Sequence, residues 1–199
     1  MLQTSAIRLP VNLQVTQAQF KAIVAANRDL KLEKTAKGEI LVMSPTGGNT
    51  GRRNFNLAGQ LYLWNQRYQL GVAFDSSTAF CLPNGATRSR SVPSASPDVA
   101  WINQEKWHSL TTAEKDDFLP LCPDFVIELR SKTDSLKTLQ EKMQEYLENG
   151  LKLGWLINPQ NQQVEIYRCY RTVEILQQPT TLWGEEILPH FELDLTQIF

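Results

Sequence analysis

Two carboxylates placed at or inside apolar strands are the residues of this chain best suited to carry out chemistry. Asp98 stands at the mouth of the apolar run Val99–Ile102, and Glu128 interrupts the apolar run 125–129. The residue types of both runs favour a pleated surface, so both are predicted to be strands. Burying a carboxylate costs several kcal/mol unless a cation or hydrogen bonds satisfy it. Glu128 is therefore either paired structurally with Arg130 or aimed into a metal site.

The alternation of side chains along the second strand indicates the surroundings of Glu128. Successive strand residues face opposite sides of a sheet, so Glu128 is predicted to lie with Val126 and Arg130, opposite Ile127 and Leu129.

Two converging carboxylates can do three kinds of chemistry. If the strands of Asp98 and Glu128 are neighbours, the pair can hold a divalent cation through hard oxygen ligands, with the carbonyl of Leu129 completing the set. The pair can instead share acid and base roles on a sugar, or simply form ion pairs with basic partners. A glycosidase is the weakest of these alternatives, because no aromatic sugar platform can be inferred near the two acids.

Several cations accompany the acids. Arg52 and Arg53 stand in the first turn of a predicted helix, where the macrodipole disfavours cations, which is a weak hint that they face an anion. Simple solvation is the plainer interpretation. Lys142 lies on the edge of the apolar stripe of a later helix, from which it can either extend into solvent or reach over the sheet edge.

The elements that must position these residues follow from periodicity and turn signals. A first helix over 17–28, a hairpin and a helix over 51–69 with an apolar side are followed by strands and a helix that ends at Asn149-Gly150. The hairpin runs are 30–35 and 39–43, and the later strands are 71–74, 78–82, 99–102, 125–129, 152–157 and 163–168. The segment 87–96 is predicted to be an exposed loop. The apolar side of the second helix is assigned to Phe55, Leu57, Leu61, Leu63, Trp64 and Tyr68.

Composition limits the class of protein. The 199 residues, 42% hydrophobic and 21% charged, suit a single domain over 1–199. A net charge of −1 counts against tight, indiscriminate DNA binding. Three scattered cysteines and two isolated histidines make a zinc site improbable. There is no signal-like or membrane-spanning run, so a cytoplasmic protein with no membrane partner is expected.

The strand motifs resemble a known nuclease signature. Pro97-Asp98 followed 30 residues later by Glu128-Leu129-Arg130 looks like the PD-(D/E)xK signature of restriction-endonuclease-like nucleases. From about Thr16 to the C-terminus the chain also resembles the Uma-type putative restriction endonuclease family. The segments that carry this likeness are Gly38-Glu39-Ile40, Met43-Ser44-Pro45-Thr46-Gly47, Phe74-Asp75-Ser76-Ser77-Thr78, Leu82-Pro83-Asn84-Gly85, Cys122–Ser131, Met143–Tyr146 and Gly154–Ile157.

The resemblance implies an α/β fold with a restriction-endonuclease-like core. This is a mixed β-sheet flanked by helices, with an N-terminal helix and β-hairpin and a site at one sheet edge. Asp98 and Glu128 match the motif acids, while Arg130 replaces the motif lysine. Arginine stays protonated and is a poor proton acceptor. In this family the lysine role has moved to the next helix, and the matching position is Lys142.

Other positions add to the expected site or depart from the family pattern. Glu33 and Glu39 match acidic positions of the family, and one of them is a candidate for the metal shell. An insertion over 90–95 precedes Pro97, and Asn49 stands where relatives often carry an acid or a histidine. Both departures bear on whether the site is active.

These expectations combine into a magnesium- or manganese-dependent nuclease acting on nucleic acid, with DNA as the expected substrate. The alternative is a nucleic-acid-binding or interaction protein that keeps the fold without turnover. Arg130 and the pI of about 6.1 favour that alternative somewhat. Double-strand cleavage by this fold commonly needs two active sites, so a homodimer is compatible with the nuclease hypothesis.

Overall fold

The computed structural model describes residues 14–34, 38–43, 46–83 and 94–199. Its helices are α1 (Gln17–Ala26), α2 (Gly48–Tyr68), α3 (Gln104–Ser109), α4 (Thr112–Lys115) and α5 (Leu136–Glu148). Its strands are β1 (Lys31–Lys34), β2 (Ile40–Met43), β3 (Gly71–Asp75), β4 (Phe80–Cys81), β5 (Ser94–Ala95), β6 (Val99–Asn103), β7 (Phe125–Leu129), β8 (Leu153–Asn158), β9 (Gln163–Arg168), β10 (Glu174–Gln177), β11 (Thr181–Trp183) and β12 (Glu192–Asp194).

A six-stranded mixed sheet forms the centre of the fold. Its strand order is β10-β9-β8-β7-β6-β3, and β7 and β8 are its parallel pair while the other neighbours are antiparallel. Helix α5 connects the parallel pair, as a crossover between parallel strands requires. The β1–β2 hairpin belongs to a second sheet with order β2-β1-β5-β4. The predicted mixed sheet flanked by helices, with an N-terminal helix and hairpin, is confirmed.

The central strand β7 separates two apolar cores. Its five residues are all buried. Ile127 and its alternate neighbours pack with Leu57 and Leu61 of α2 and with the C-terminal segment. Val126, on the opposite face, packs with Met143 of α5. The alternation expected along this strand is therefore confirmed, and Glu128 lies on the α5 side.

A glycine lets α5 approach the sheet closely. Gly154 of β8 stands beside Val126 in the parallel pair. A Cβ atom at Gly154 would lie 2.5 Å from Met143 Cε and 2.8 Å from Leu151 Cδ2, so a larger residue would have to displace the tips of these two side chains. Met143 is the neighbour of Lys142, so α5 packs on β8 at the turn that carries that lysine.

The apolar side assigned to α2 is partly wrong. Leu57, Leu61 and Trp64 are buried, but Phe55 is 82% exposed and Leu63 is 69% exposed. Positions four and seven apart share a helix face, so the buried stripe excludes the two residues that lie off that spacing. The helix also begins at Gly48, three residues before the predicted start.

Smaller corrections concern termini and a loop. Sequence alone also allows Thr133 or Asp134 to cap α5, but Ser135 is the cap and accepts a hydrogen bond from the main-chain N–H of Thr138. Ser94–Ala95 of the predicted loop pair with β1 and β4 as a short strand, because two neighbouring edges offer main-chain partners. The rest of that loop through residue 93, with most of the insertion over 90–95, lies outside the described residues. Within the described part, no helix has the length and apolar character that crossing a bilayer requires.

A buried carboxylate fixes the start of the central strands. Asp124 is 1% exposed and accepts a 2.9 Å hydrogen bond from the main-chain N–H of Asn103. Its Oδ1 lies 2.9 Å from Lys106 Nζ and 3.0 Å from Lys152 Nζ. Burial alone would raise its pKa, but these donors and charges together lower it. Asp124 thus joins the end of β6, helix α3 and the segment before β8.

Asp124→Asn is expected to lower the free energy of unfolding by about 2 to 4 kcal/mol, because it leaves two ammonium groups facing a neutral, buried amide. The pKa of Asp124 is depressed in the folded state, so its contribution is present above the unfolded pKa near 4 and is lost as pH falls below it. Urea unfolding of wild type and variant at neutral and acidic pH measures this difference.

The matched control is Asp117→Asn. Asp117 pairs with Lys21, but both side chains are about half exposed, so its loss should cost less than about 1 kcal/mol. Equal stability of wild type and Asp124→Asn at neutral pH would show that the buried pairs do not hold β6 and β8.

Candidate active site

One cluster of polar side chains lies where five elements meet. Asp98 immediately precedes β6, and Glu128 is the fourth residue of β7. Glu33 comes from β1, Lys142 and Tyr146 come from α5, and α2 contributes one further residue that is described below. The antiparallel register pairs Val99 with Ile127, so the residues on either side of that pair are close across the two strands.

Both oxygens of Asp98 are held by hydrogen-bond donors. Asn54 Nδ2 of α2 donates to Asp98 Oδ1 at 2.8 Å, and the main-chain N–H of Leu129 donates to Oδ2 at 2.8 Å. The second contact attaches the carboxylate directly to the residue after Glu128. The orientation of Asp98 is therefore fixed by two elements in addition to its own.

Glu128 is buried and bound from α5. Lys142 Nζ lies 3.0 Å from Glu128 Oε1, and the hydroxyl of Tyr146 donates to the same oxygen at 3.0 Å. Lys142 and Tyr146 are four residues apart and so project from one side of the helix. Two donors from one helix face thus satisfy a carboxylate whose side chain is only 4% exposed.

The β-hairpin closes the cluster from the other side. Lys142 Nζ lies 3.2 Å from Glu33 Oε1 and 3.4 Å from the carbonyl oxygen of Ser96. The same Glu33 oxygen accepts a 3.2 Å hydrogen bond from the main-chain N–H of Ser96. Lys142 is thus an ammonium group shared between two buried carboxylates, Glu33 and Glu128. Its contact with Ser96 lies two residues before Asp98 in the chain.

The electrostatics reflect this crowding of charge. Burial, followed by the negative charges of Asp98 and Glu33, raises the pKa of Glu128 to about 7, although Lys142 opposes the shift. Burial alone would lower the pKa of Lys142, but the surrounding carboxylates together raise it, so the ammonium keeps its proton. Burial and the charge of Glu128 raise the pKa of Tyr146, whose hydroxyl therefore stays a donor.

The structure brings Asp98, Glu128, Lys142 and Glu33 of the sequence-predicted residues together. Glu39, the other hairpin acid, is exposed in the segment before β2. Glu128 pairs with Lys142, and not with Arg130, the structural partner that the strand pattern left open.

The structure places the predicted phosphate-binding arginines directly after β7 and in the first half of α2. Arg130 follows β7, and it donates to the carbonyl of Asp134 at 3.2 Å and to Asn158 Oδ1 at 3.4 Å. Arg52 is exposed in α2, while Arg53 is half-buried and its Nε has no hydrogen-bond partner. Both precede Asn54, which contacts Asp98. Whether any of the three binds nucleic acid stays a prediction.

Sequence reasoning missed Asn54, Tyr146 and Ser96. Helical spacing indicates only that Tyr146 belongs to the apolar stripe of its helix, but a buried tyrosine hydroxyl usually needs a polar partner, which is a usable signal. An asparagine inside a helix and a main-chain carbonyl offer no comparable signal, because their partners depend on how distant elements pack.

The residues fit a divalent cation in charge and in donor type. When ionised, the three carboxylates of Asp98, Glu128 and Glu33 exceed the single charge of Lys142, and magnesium prefers oxygen ligands. Among the described residues, however, no group of three or more His, Cys, Asp or Glu side chains is arranged to hold a metal. This set therefore suits an ion that keeps several waters and takes one or two carboxylates, as magnesium usually does.

Comparison with known proteins places the chain in a family. Residues 17–196 match the Uma2 family model, which is described as "Putative restriction endonuclease". The chain belongs to the Uma2 family. No curated protein sequence matches it significantly. A similar solved structure is the crystal structure of a "putative nuclease belonging to DUF820" from Anabaena variabilis, with a TM-score of 0.70 and 18% identity over 85% of this chain and 89% of that one. This likeness confirms the fold expected for a Uma2 member.

The raised pKa of Glu128 predicts how stability depends on pH without metal. The folded-state pKa of about 7 exceeds the ordinary value near 4.5, so the wild type should lose about 3 kcal/mol of stability as pH rises between these values. Glu128→Gln cannot ionise and should lack this loss. Urea unfolding in chelator at about pH 4.5 and about pH 8 compares the two proteins.

A difference between wild type and Glu128→Gln that stays constant across this pH range would show that Glu128 is already ionised at low pH. Tyr146→Phe gives a second check, because it removes a donor to the same carboxylate oxygen while leaving Lys142 in place. It should lower stability more at pH 8, where Glu128 is charged, than at pH 4.5.

Proposed function

We propose that this protein is a divalent-metal-dependent nuclease that hydrolyses phosphodiester bonds of nucleic acid, with DNA as the expected substrate. The observation that carries the proposal is the position of Lys142, which lies 3.0 Å from Glu128 in a cluster that also includes Asp98. A lysine supplied by the helix after the motif strand is what the replacement of the motif lysine by Arg130 requires. Membership of the Uma2 family supports the same activity.

Asp98 and Glu128, with the main-chain carbonyl of Leu129, would hold magnesium or manganese. When bound, such an ion lowers the pKa of a coordinated water and offsets negative charge on the phosphate. Asn54 and the Leu129 N–H keep the Asp98 carboxylate oriented, so it pays little ordering cost on binding a ligand. Glu33, which pairs with Lys142 at 3.2 Å, is a candidate to complete the same shell.

Lys142 acts as a hydrogen-bond donor and a positive charge. The surrounding carboxylates keep its pKa high, which excludes it as a general base near neutral pH. A fixed ammonium near the reacting phosphate can orient the attacking water or stabilise the charge that develops on the phosphate oxygens. The Ser96 carbonyl and Glu33 hold it in place at the edge of the site.

The arginines supply candidate phosphate contacts. Arg53 is half-buried with an Nε that lacks a partner, and Arg52 is exposed beside it. Both lie in the turn of α2 that also carries Asn54, the residue that contacts Asp98. A guanidinium group suits phosphate because it offers several donors in a fixed fork.

A second candidate function is nucleic-acid binding without turnover. The observation in its favour is that Lys142 is already paired with both Glu33 and Glu128. Arg130, which replaces the motif lysine, is a poor proton acceptor and points the same way. In this alternative the cluster is a buried ionic network that stabilises the fold. A homodimer that carries two sites belongs to the nuclease proposal, because it would allow cleavage of both strands.

Metal binding and DNA cleavage should both be lost when the charge of Asp98 is removed. An ion that binds only the folded state, at a hundredfold excess over Kd, adds about 2.7 kcal/mol to the free energy of unfolding. This raises Tm by several degrees for a chain of this length. Millimolar magnesium or manganese should therefore raise the Tm of the wild type, and Asp98→Asn should abolish most of that rise. Differential scanning calorimetry measures the shift.

Cleavage of plasmid and single-stranded DNA is measured on the same two proteins with magnesium, manganese or chelator. The nuclease proposal expects cleavage by the wild type with metal and none by Asp98→Asn. A metal-dependent rise in Tm without cleavage of any nucleic acid supports binding without turnover. Melting curves that neither metal nor Asp98→Asn changes would leave the cluster only a structural role.

Arg130→Lys tests whether Arg130 is a base or a fixed cation. The proposed role needs only positive charge, so the variant should keep cleavage within about tenfold of the wild type, with a loss of order 1 kcal/mol from its bonds to Asp134 and Asn158. Complete loss of cleavage with an unchanged metal-dependent Tm would show that the guanidinium fork itself is required.

A further inference from the structure

The outer face of α2 carries large apolar side chains that nothing in the described chain covers. Phe55 is 82% exposed, Tyr62 is 56% exposed and Leu63 is 69% exposed. Residues seven or eight apart share a helix face, so Phe55 lies in line with the other two, with Gly59 between them. We call this set, Phe55, Gly59, Tyr62 and Leu63, the outer face of α2.

The charge of this helix favours a polyanion. Helix α2 contains Arg52, Arg53 and Arg67 and no acidic residue, although the whole chain has a net charge of −1. Arg52 lies three residues before Phe55, so it stands on the same face one turn earlier. Exposed rings interleaved with cations are the pattern that binds single-stranded nucleic acid, since bases stack on the rings while the cations meet phosphates.

The outer face begins at the candidate active site. Asn54, the residue before Phe55, donates to Asp98 at 2.8 Å. Phe55 and Tyr62 are two turns apart, about 10 Å along the helix axis. A strand that lies along this face would therefore arrive at the cluster of acids from the direction of Arg52 and Phe55.

A cavity of about 330 Å³ lies beside this face, between α2 and the edge strand β3. It is within the range of roughly 300–1,000 Å³ found for small-ligand sites. Its walls include Ala58 and Tyr62 of α2, Phe74 and Asp75 of β3, and Val99, the residue after Asp98. The Asp75 carboxylate disfavours a phosphate there, whereas an uncharged, flat base can lie against the Tyr62 ring.

From these observations we infer that the outer face of α2 binds an unpaired nucleic-acid strand, with bases stacked on Phe55 and Tyr62 and one base in the adjoining cavity. The inference rests on the proposed function for the site that the strand reaches, and it adds the substrate class. A duplex keeps its bases stacked on each other and cannot offer them to these rings, so a single strand or a frayed end is the preferred ligand.

The test measures binding in chelator, so that no cleavage is needed. A short fluorescein-labelled DNA strand and its blunt duplex are titrated with the protein by fluorescence anisotropy. The wild type should bind the single strand more tightly than the duplex. Phe55→Ala and Tyr62→Ala should each weaken single-strand binding about 5- to 100-fold, as expected for the loss of one stacked base. Phe55→Trp should retain it.

Two matched controls separate stacking from general effects. Tyr170→Ala removes a fully exposed aromatic ring from another part of the chain and should leave binding unchanged. Gly59→Glu and Gly59→Lys both fit, because nothing lies within 4 Å of a Cβ atom at that position, and both should raise Tm by replacing a helical glycine. The glutamate should weaken strand binding, and the lysine should not.

Three outcomes would overturn the inference. Wild-type affinity in Phe55→Ala and Tyr62→Ala would show that bases do not stack there, and equal effects of both Gly59 variants would remove the charge argument. Sedimentation that changes from dimer to monomer in the alanine variants, with unchanged DNA affinity, would identify the face as a contact between two copies.

The nuclease proposal is judged separately by adding magnesium to the same proteins. Strand binding that depends on Phe55 and Tyr62, without cleavage by the wild type, would support the inferred binding face and overturn the proposed catalysis. Cleavage by the wild type, with unaltered binding in the α2 variants, would support the proposed catalysis and overturn the inferred binding face.

Discussion

A carboxylate can be buried at Glu128, in the centre of the six-stranded sheet, because an ammonium group reaches it from α5. Leaving such a charge unpaired would cost several kcal/mol, so the position of Lys142 constrains the surrounding fold. The crossover helix must pack directly on β7 and β8, and Gly154 permits that close approach. The hairpin must then cover the ammonium, and Glu33 of β1 does so at 3.2 Å. The pair thus joins the central sheet, α5 and the N-terminal hairpin.

The cluster is well connected but not balanced in charge. Three carboxylates act on one ammonium, and burial, followed by the charges of Asp98 and Glu33, raises the pKa of Glu128 to about 7. A core built only for stability would use apolar residues here, since replacing a buried ion pair by hydrophobic groups is often neutral or stabilising. Departures from the rules of good packing tend to occur at functional sites. The excess negative charge is consistent with a site that is completed by a cation from solution.

Much of the fold and part of the candidate site could be predicted from the sequence, for identifiable reasons. Alternation in the run 125–129 was enough to place Glu128 opposite Ile127, because strand geometry fixes that relation locally. The approach of Lys142 to Glu128 depended on family resemblance, since its position on the stripe edge allowed two directions. Asn54 could not be predicted, because its contact with Asp98 joins residues 44 positions apart. Phe55 was misassigned because residue type was weighed over helical spacing.

Helix α2 joins the candidate active site to the inferred binding face. Its inner face is anchored in the core by Leu57 and Leu61, so the helix is fixed against the sheet. That anchoring makes the Asn54 contact with Asp98 a rigid one. It also holds Phe55 outward, where a ring has no packing role in the described chain. An apolar side chain left in water contributes nothing to folding, and the exposed Phe55 ring, one residue from the contact to Asp98, fits the inferred strand that reaches the site along this helix.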